Sequence, residues 1–286
     1  MRTALVTPPV LKLRCQQFFL SVDKKAMGKK DSSKTRVVPV FDFLYQKDKT
    51  GISWLPKLLS LPQGGNPIRL PANCNFSIEQ VGWGRNEMKL DPPISLLSWL
   101  IRHPRKPTSG KLSSDRAKAK KRREWIKGSD SRMAEALDLL YSNPNGEDWH
   151  IFEGQSQPDV FIQTSDLLIV IEGKRTERKP TTITKWMMGR HQMLRHIDCA
   201  WEIRGKRNVI GFFIVEGTGK KGNIPTSWLD YAKATINSDS IASSLPHRRP
   251  EERKSIASCF AGVTTWQLLC REFDIDWKQL PDSVNE

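Results

Sequence analysis

The stretch that most constrains this chain is Leu167 to Ile171, an unbroken aliphatic run that ends in Glu172-Gly173-Lys174. In an extended strand, Leu168, Val170, Glu172 and Lys174 share one face. Leu167, Ile169, Ile171 and Gly173 share the other. Both faces stay apolar until the strand ends, as expected of a central strand covered by helices on both sides. Two charged residues at the end of such a strand are not an ordinary solvated face.

The preceding segment, Asp159 to Thr164, supplies a partner strand. A symmetric turn centred on Ser165-Asp166 pairs Thr164 with Leu167, and the same register sets Asp159 opposite Glu172. Directly opposed Cβ atoms lie roughly 4.5–5.5 Å apart. Two carboxylates that close repel unless a proton or a cation lies between them. Hard oxygen donors at that spacing suit Mg²⁺ or Mn²⁺, and Mg²⁺ keeps waters for a substrate phosphate. Lys174 points to the same side, where its ammonium can steady developing negative charge.

Other elements follow from pattern. Val37 to Tyr45 reads as an extended segment, with Pro39 arguing for an edge. Asp91-Pro92-Pro93 opens a helix with Ile94, Leu97, Leu100 and Ile101 on one face. A helix capped at Ser129 or Asp130 runs through Ser142 and stops at Asn143-Pro144-Asn145-Gly146. Strands are expected at Trp149–Glu153, Asp159–Thr164 and Leu167–Glu172, then a helix over Ile183–Ile203 and a strand at Asn208–Glu216. After a polar loop, Pro250 starts a helix, Val263–Trp266 reads as a short strand, and a last helix closes near Phe273. The fold class is α/β, a mixed β-sheet flanked by helices. We divide the chain into a basic arm (1–36), an N-terminal region with some ordered elements and a basic link (37–123), and a compact domain (124–286).

Pro158-Asp159 followed by Glu172-Gly173-Lys174 resembles the signature of the PD-(D/E)XK nuclease superfamily, and the α-β-β-β-α-β order is similar to that family's restriction-endonuclease-like core. The resemblance covers about residues 124–270. It implies a metal-dependent hydrolase of phosphodiester bonds, with Asp159 and Glu172 as metal ligands and Lys174 assisting the water. The family adds an acidic residue from the first core helix, for which Glu135 fits best, with Glu153 as a second candidate. Glu216, in an IVEG that echoes VIEG, reads as structural or as support to the site. Relatives place a glutamine or lysine on the helix after the motif, and Gln192 is the match, in a patch with Arg195 and His196 that also reads as an ordinary polar helix face. Five residues set His191 and His196 about 140° apart on a helix, a poor zinc pair.

Charge points to the partner. The chain has 286 residues and a net charge of +15, and residues 1–130 carry 26 Lys and Arg against 10 Asp and Glu, whereas the remainder is balanced. A basic block attracts polyanions through counterion release, and nucleic acid, DNA foremost, is the expected partner. A solvated tail serving solubility is the plain alternative. Lys120, Lys121, Arg122 and Arg123, with Arg175, Arg178 and Arg195, are the candidate contacts to the phosphate backbone. An RNA substrate, or a nucleic-acid-binding protein with an inactive core, are the other readings. Trp186 and Trp201 fit a core better than a stacking platform. No apolar run approaches the roughly 20 residues of a membrane helix. Pro8 and Pro9 interrupt any secretory leader, and the odd cysteine count without CxxC fits reduced thiols in a cytoplasmic protein. Gly217-Thr218-Gly219-Lys220 lacks P-loop spacing. A homodimer is left open.

Overall fold

The computed structural model describes residues 32–103, 130–144, 152–184, 187–219 and 221–281. Six strands form one mixed open sheet: β1 (Gln63–Gly64), β2 (Ile78–Trp83), β3 (Val160–Thr164), β4 (Leu167–Gly173), β5 (Asn208–Val215) and β6 (Phe260–Thr265), in the spatial order β1-β6-β5-β4-β3-β2. β4 is antiparallel to β3 and parallel to β5, and β5 is parallel to β6. Both faces of the central run are covered as expected: every residue of β4 is buried.

Helices cover both faces. On one side lie α1 (Val38–Lys47) and α2 (Leu55–Leu59), joined by α9 (Trp266–Glu272), which together meet Leu167, Ile169 and Ile171 of β4. On the other lie α5 (Gln192–Ile203), α6 (Thr226–Thr235) and α8 (Pro250–Ser258), which meet Leu168 and Val170. Burying aliphatic side chains at about 25 cal/mol per Å² of apolar surface holds the three layers together. A smaller cluster joins α3 (Ile94–Arg102) to α4 (Asp130–Ser142) through Leu97, Leu100, Ala136 and Leu140, with Phe152 and Met187. A short helix α7 (Ser238–Ser244) completes the set.

Several expectations change. Val37 to Tyr45 is not extended: a π-helical stretch Ser33–Val37 runs into α1. Val40, Phe41 and Leu44 share one helical face and are fully buried, while Pro39 occupies the first turn, where its missing N–H has no intrahelical partner to lose. Asp91 does not cap α3; Pro93 holds that position, and the Asp91 carboxylate accepts from Gln155 Nε2 at 2.8 Å. The strand beside β3 is β2, not Trp149–Glu153. Phe152 and Glu153 lie in a turn and a bend, and 149–151 fall outside the described residues. The helix expected from Ile183 begins at Gln192. Before it, Ile183 bridges Met188, and Gly189 takes a φ of 79°, a left-handed conformation that interrupts a right-handed helix. The polar loop after Glu216 contains α6 and α7. The strand expected at Val263–Trp266 begins at Phe260, and Trp266 already belongs to α9.

The first described residues, the end of the 1–36 segment, pack into the fold. Thr35 and Arg36 are fully buried, and Arg36 makes a two-pronged contact with Glu216, Nε to Oε2 at 3.0 Å and Nη2 to Oε1 at 2.9 Å. Lys120 to Arg123 lie outside the described residues, as does Trp186.

Gly173 shows how tightly the strand end is packed. A Cβ there would meet Trp266 and Val37 at 2.8 Å and the Asp159 carboxylate at 3.4 Å. Gly173→Ala is expected to destabilise the protein by about 1–3 kcal/mol, the usual cost of overpacking. A denaturant midpoint equal to wild type would show that this end of the sheet has slack.

Candidate active site

The β3–β4 register is Val160 with Ile171, Phe161 with Val170, Ile162 with Ile169 and Gln163 with Leu168. One further step places Asp159 against Glu172, as the turn centred on Ser165-Asp166 requires. Asp159 Oδ2 accepts the Gly173 N–H at 2.8 Å, so the carboxyl is tied across the hairpin to the backbone beside Glu172.

Glu172 sits under α5. Its Oε1 accepts from Gln192 Nε2 at 2.7 Å and lies 2.9 Å from Lys174 Nζ. His196, one helical turn after Gln192, brings Nε2 to 3.1 Å from Oε2. The other ring nitrogen of His196, Nδ1, is 2.7 Å from the Ser156 hydroxyl. The backbone of Lys174 is fixed from the next strand, its N–H on the Ile214 carbonyl and its own carbonyl receiving the Glu216 N–H. Asp159, Glu172, Lys174 and Gln192 are therefore gathered at one end of the central strand.

Burial and charge separate the two carboxyls. Burial, then the charge of Glu172, pushes Asp159 up to about 8, against the opposing pull of the Gly173 N–H and Lys174. Burial also works against ionised Glu172, but the His196 ring and the Lys174 ammonium outweigh it and hold the carboxyl below its ordinary range. Lys174 is raised: burial opposes its charge, and the pair with Glu172 wins. One carboxyl thus carries the charge and the other keeps a proton at neutral pH, the usual outcome for two acids in one site.

The donor set fits a hard divalent ion. Both acids offer oxygen, and Glu172 Oε2 is buried with the His196 ring 3.1 Å away as its neighbour but no well-aligned hydrogen bond, which leaves it a lone pair for a cation. A cation would take the place of the Asp159 proton. Among the described residues no group of three or more His, Cys, Asp and Glu is arranged to hold a metal, so water and substrate oxygens would fill the remaining positions.

The other candidates lie elsewhere or are already engaged. Glu135 is exposed on α4 and is not among the charges that dominate either carboxyl. Glu153 is buried between two guanidinium groups, 3.1 Å from Arg190 Nε and 3.2 Å from Arg195 Nε. Arg195 also donates to the carbonyls of Gly154 and Gln155, so this side chain is held by the protein. Glu216 serves Arg36. Arg175 is half-buried and reaches the Thr35 hydroxyl, whereas Arg178 is exposed. His191 turns to Thr235, apart from the Ser156 and Glu172 contacts of His196, and burial pushes it down to about 4. Trp201 is half-buried against the α5 core.

The chain matches no protein-family model, no curated protein and no solved structure. The site must therefore be read from its own residues. Beside Gln192 opens a cleft of about 380 Å³ lined by Glu153, Thr181, Thr184 and Arg195. Two contributors escaped the sequence reading. Glu87, after β2, adds to the charge that raises Asp159; only the pairing of β2 with β3 brings it there. Ser156 orients His196 and has no sequence signature. His196 itself was visible as the residue one turn beyond Gln192.

The ionisation of Asp159 has a thermodynamic signature. Its carboxyl moves from 3.8 to about 8 on folding. Between those values the folded protein holds a proton that the unfolded chain has lost, so this group makes stability fall as pH rises across that window, and its effect levels off above it. In EDTA, Asp159→Asn is expected to melt higher than wild type by a margin that grows with pH up to about 8 and then stays constant. A margin independent of pH would contradict the raised carboxyl.

Proposed function

We propose that this protein is a divalent-metal-dependent nuclease of the PD-(D/E)XK kind, acting on DNA. The observation that carries the reading is the buried Glu172 facing Asp159 and held by Lys174 at 2.9 Å. The spatial sequence β2-β3-β4-β5, antiparallel up to β4 and parallel from β4 to β5, supports it, with the motif on the β3–β4 hairpin and Gln192 opening the helix that joins β4 to β5; in the chain α3 and α4 are inserted between β2 and β3. In this arrangement the first strand comes from Ile78–Trp83, so the restriction-endonuclease-like core would begin well before residue 124.

The residues divide the work. When bound, Mg²⁺ or Mn²⁺ lowers the pKa of water and neutralises charge on the phosphate. Asp159 and Glu172 would hold the ion, with Asp159 as a carboxylate. Gln192 and His196 fix the Glu172 carboxylate from two sides. Lys174 keeps an ammonium beside the phosphorus, where negative charge develops during attack. The basic first 130 residues supply non-specific affinity for the polyanion, and exposed Arg178 is placed beyond the site on the same loop.

The test is incubation of purified protein with supercoiled plasmid, linear duplex, single-stranded DNA and RNA, in Mg²⁺, Mn²⁺ or EDTA. Cleavage of DNA is expected with either ion and not in EDTA. Asp159→Ala, Glu172→Ala and Lys174→Ala should each lose at least about a hundredfold in rate, the scale for removing a preorganised charge from a phosphoryl or acyl transition state. Cleavage confined to RNA would overturn the substrate, cleavage in EDTA the metal, and no cleavage of any substrate the enzymatic reading.

A further inference from the structure

At the opposite end of the parallel strands lies a second cleft, of about 460 Å³. Asn208, on its wall, pairs with Leu167 at the start of β4, while Glu172 pairs with Phe213. Five residues of strand, at about 3.3 Å each, put roughly 17 Å between the two ends.

Its lining carries Arg69, Arg204, Lys206 and Arg207 and no carboxylate. Two of these cations have work within the fold. Arg204 follows the last turn of α5, and its guanidinium stacks on Trp201 with 3.5 Å to the ring centroid. Arg207 donates Nε to the Thr164 carbonyl at 3.0 Å and lies 3.8 Å from Glu79. Arg69 and Lys206 have no such duty: both are exposed, and neither pairs with a carboxylate among the described residues. They come from different segments, one after β1 and one after α5, and face the same space. Like charges converging on a concavity repel unless an anion joins them.

The rest of the lining suits a nucleotide. Trp201 with the flat Arg204 guanidinium on it offers a stacking surface, Ser255 and Ser258, whose hydroxyls donate to the Glu251 and Ser255 carbonyls, leave their oxygens as acceptors from α8, and Val209 and Ile210 give an apolar floor. The volume lies within the range of small-ligand sites. Burial pushes the Cys259 thiol up to about 12, so it adds no negative charge.

We infer that this cleft binds a nucleoside phosphate, with Arg69 and Lys206 taking the phosphate and the Trp201–Arg204 pair facing the base. The assignment goes beyond the nuclease reading and does not rest on it. The test is calorimetric titration of the full chain with dAMP and with deoxyadenosine, at low salt in EDTA. Wild type and Lys174→Ala should bind dAMP equally. The Arg69→Ala/Lys206→Ala double variant, which removes only exposed side chains, should bind it at least about tenfold more weakly, a loss of about 1.4 kcal/mol or more. Deoxyadenosine should bind far more weakly than dAMP. The inference is overturned if wild type fails to bind dAMP, if the double variant binds it like wild type, if Lys174→Ala alone abolishes binding, or if deoxyadenosine binds as tightly. Because no cleavage is read, failure here leaves the catalytic assignment standing.

Discussion

Everything at the candidate site follows from placing a charged carboxylate at the buried end of the central strand. Glu172 is 5% exposed, with no bulk water to solvate it. A buried charge persists only if its surroundings replace the lost hydration. The replacement comes from three directions: Lys174 on the same strand, Gln192 at the start of α5, and His196 one turn on. Each requires a backbone feature of its own. Pairing with β5 fixes Lys174, the break at Gly189 lets α5 begin where Gln192 can reach, and Ser156 holds the His196 ring. The same charge then suppresses ionisation of Asp159 across the hairpin, which leaves the pair poised for a cation.

Around this centre the protein uses ion pairs as clamps. Arg190 is wholly buried between Glu153 and Asp198 and donates to the Ser244 carbonyl, joining the start of α5 to α7. Asp198 also holds Arg248 and His247, whose ring burial keeps below its ordinary value despite the carboxylate. Arg36 performs the same service on the other face, locking the chain before α1 to Glu216 at the end of β5 and stacking over Trp277. Buried pairs of this kind add little net stability over an apolar core, but losing one partner strands the other. Their effect is to fix how α5 and the N-terminal helix seat against the strand ends, and so where Gln192, Lys174 and Val37 stand.

The hairpin was legible because its information is local. A symmetric turn sets a unique register, and that register, with the double-sided apolar run, was enough to pair Asp159 with Glu172 and to make β4 central. Helix α4 was legible for the same reason, from an apolar stripe with a stop signal. The failures that bear on the site are mostly non-local. Val37 to Tyr45 has β-branched and aromatic composition, yet Val40, Phe41 and Leu44 find a helical face once the sheet is there to cover, an instance of tertiary context overriding propensity. β2 lies far from β3 in sequence, and nothing within Ile78–Trp83 announces its partner. Glu87 and Ser156 enter the site only through that long-range packing. Arg195 looked available on a polar helix face, but the Gly154 and Gln155 carbonyls already occupy it.

The proposed function requires that Asp159 and Glu172 form one cation site in which a divalent ion replaces a proton. Calorimetric titration of Mn²⁺ into the metal-free protein at pH 7, repeated in buffers of different ionisation enthalpy, measures both the binding and the protons released. With Asp159 raised to about 8, wild type should release close to one proton per ion bound. Asp159→Asn should bind more weakly and release almost none. Binding without proton release in wild type, or equal binding and release in the variant, would contradict the account.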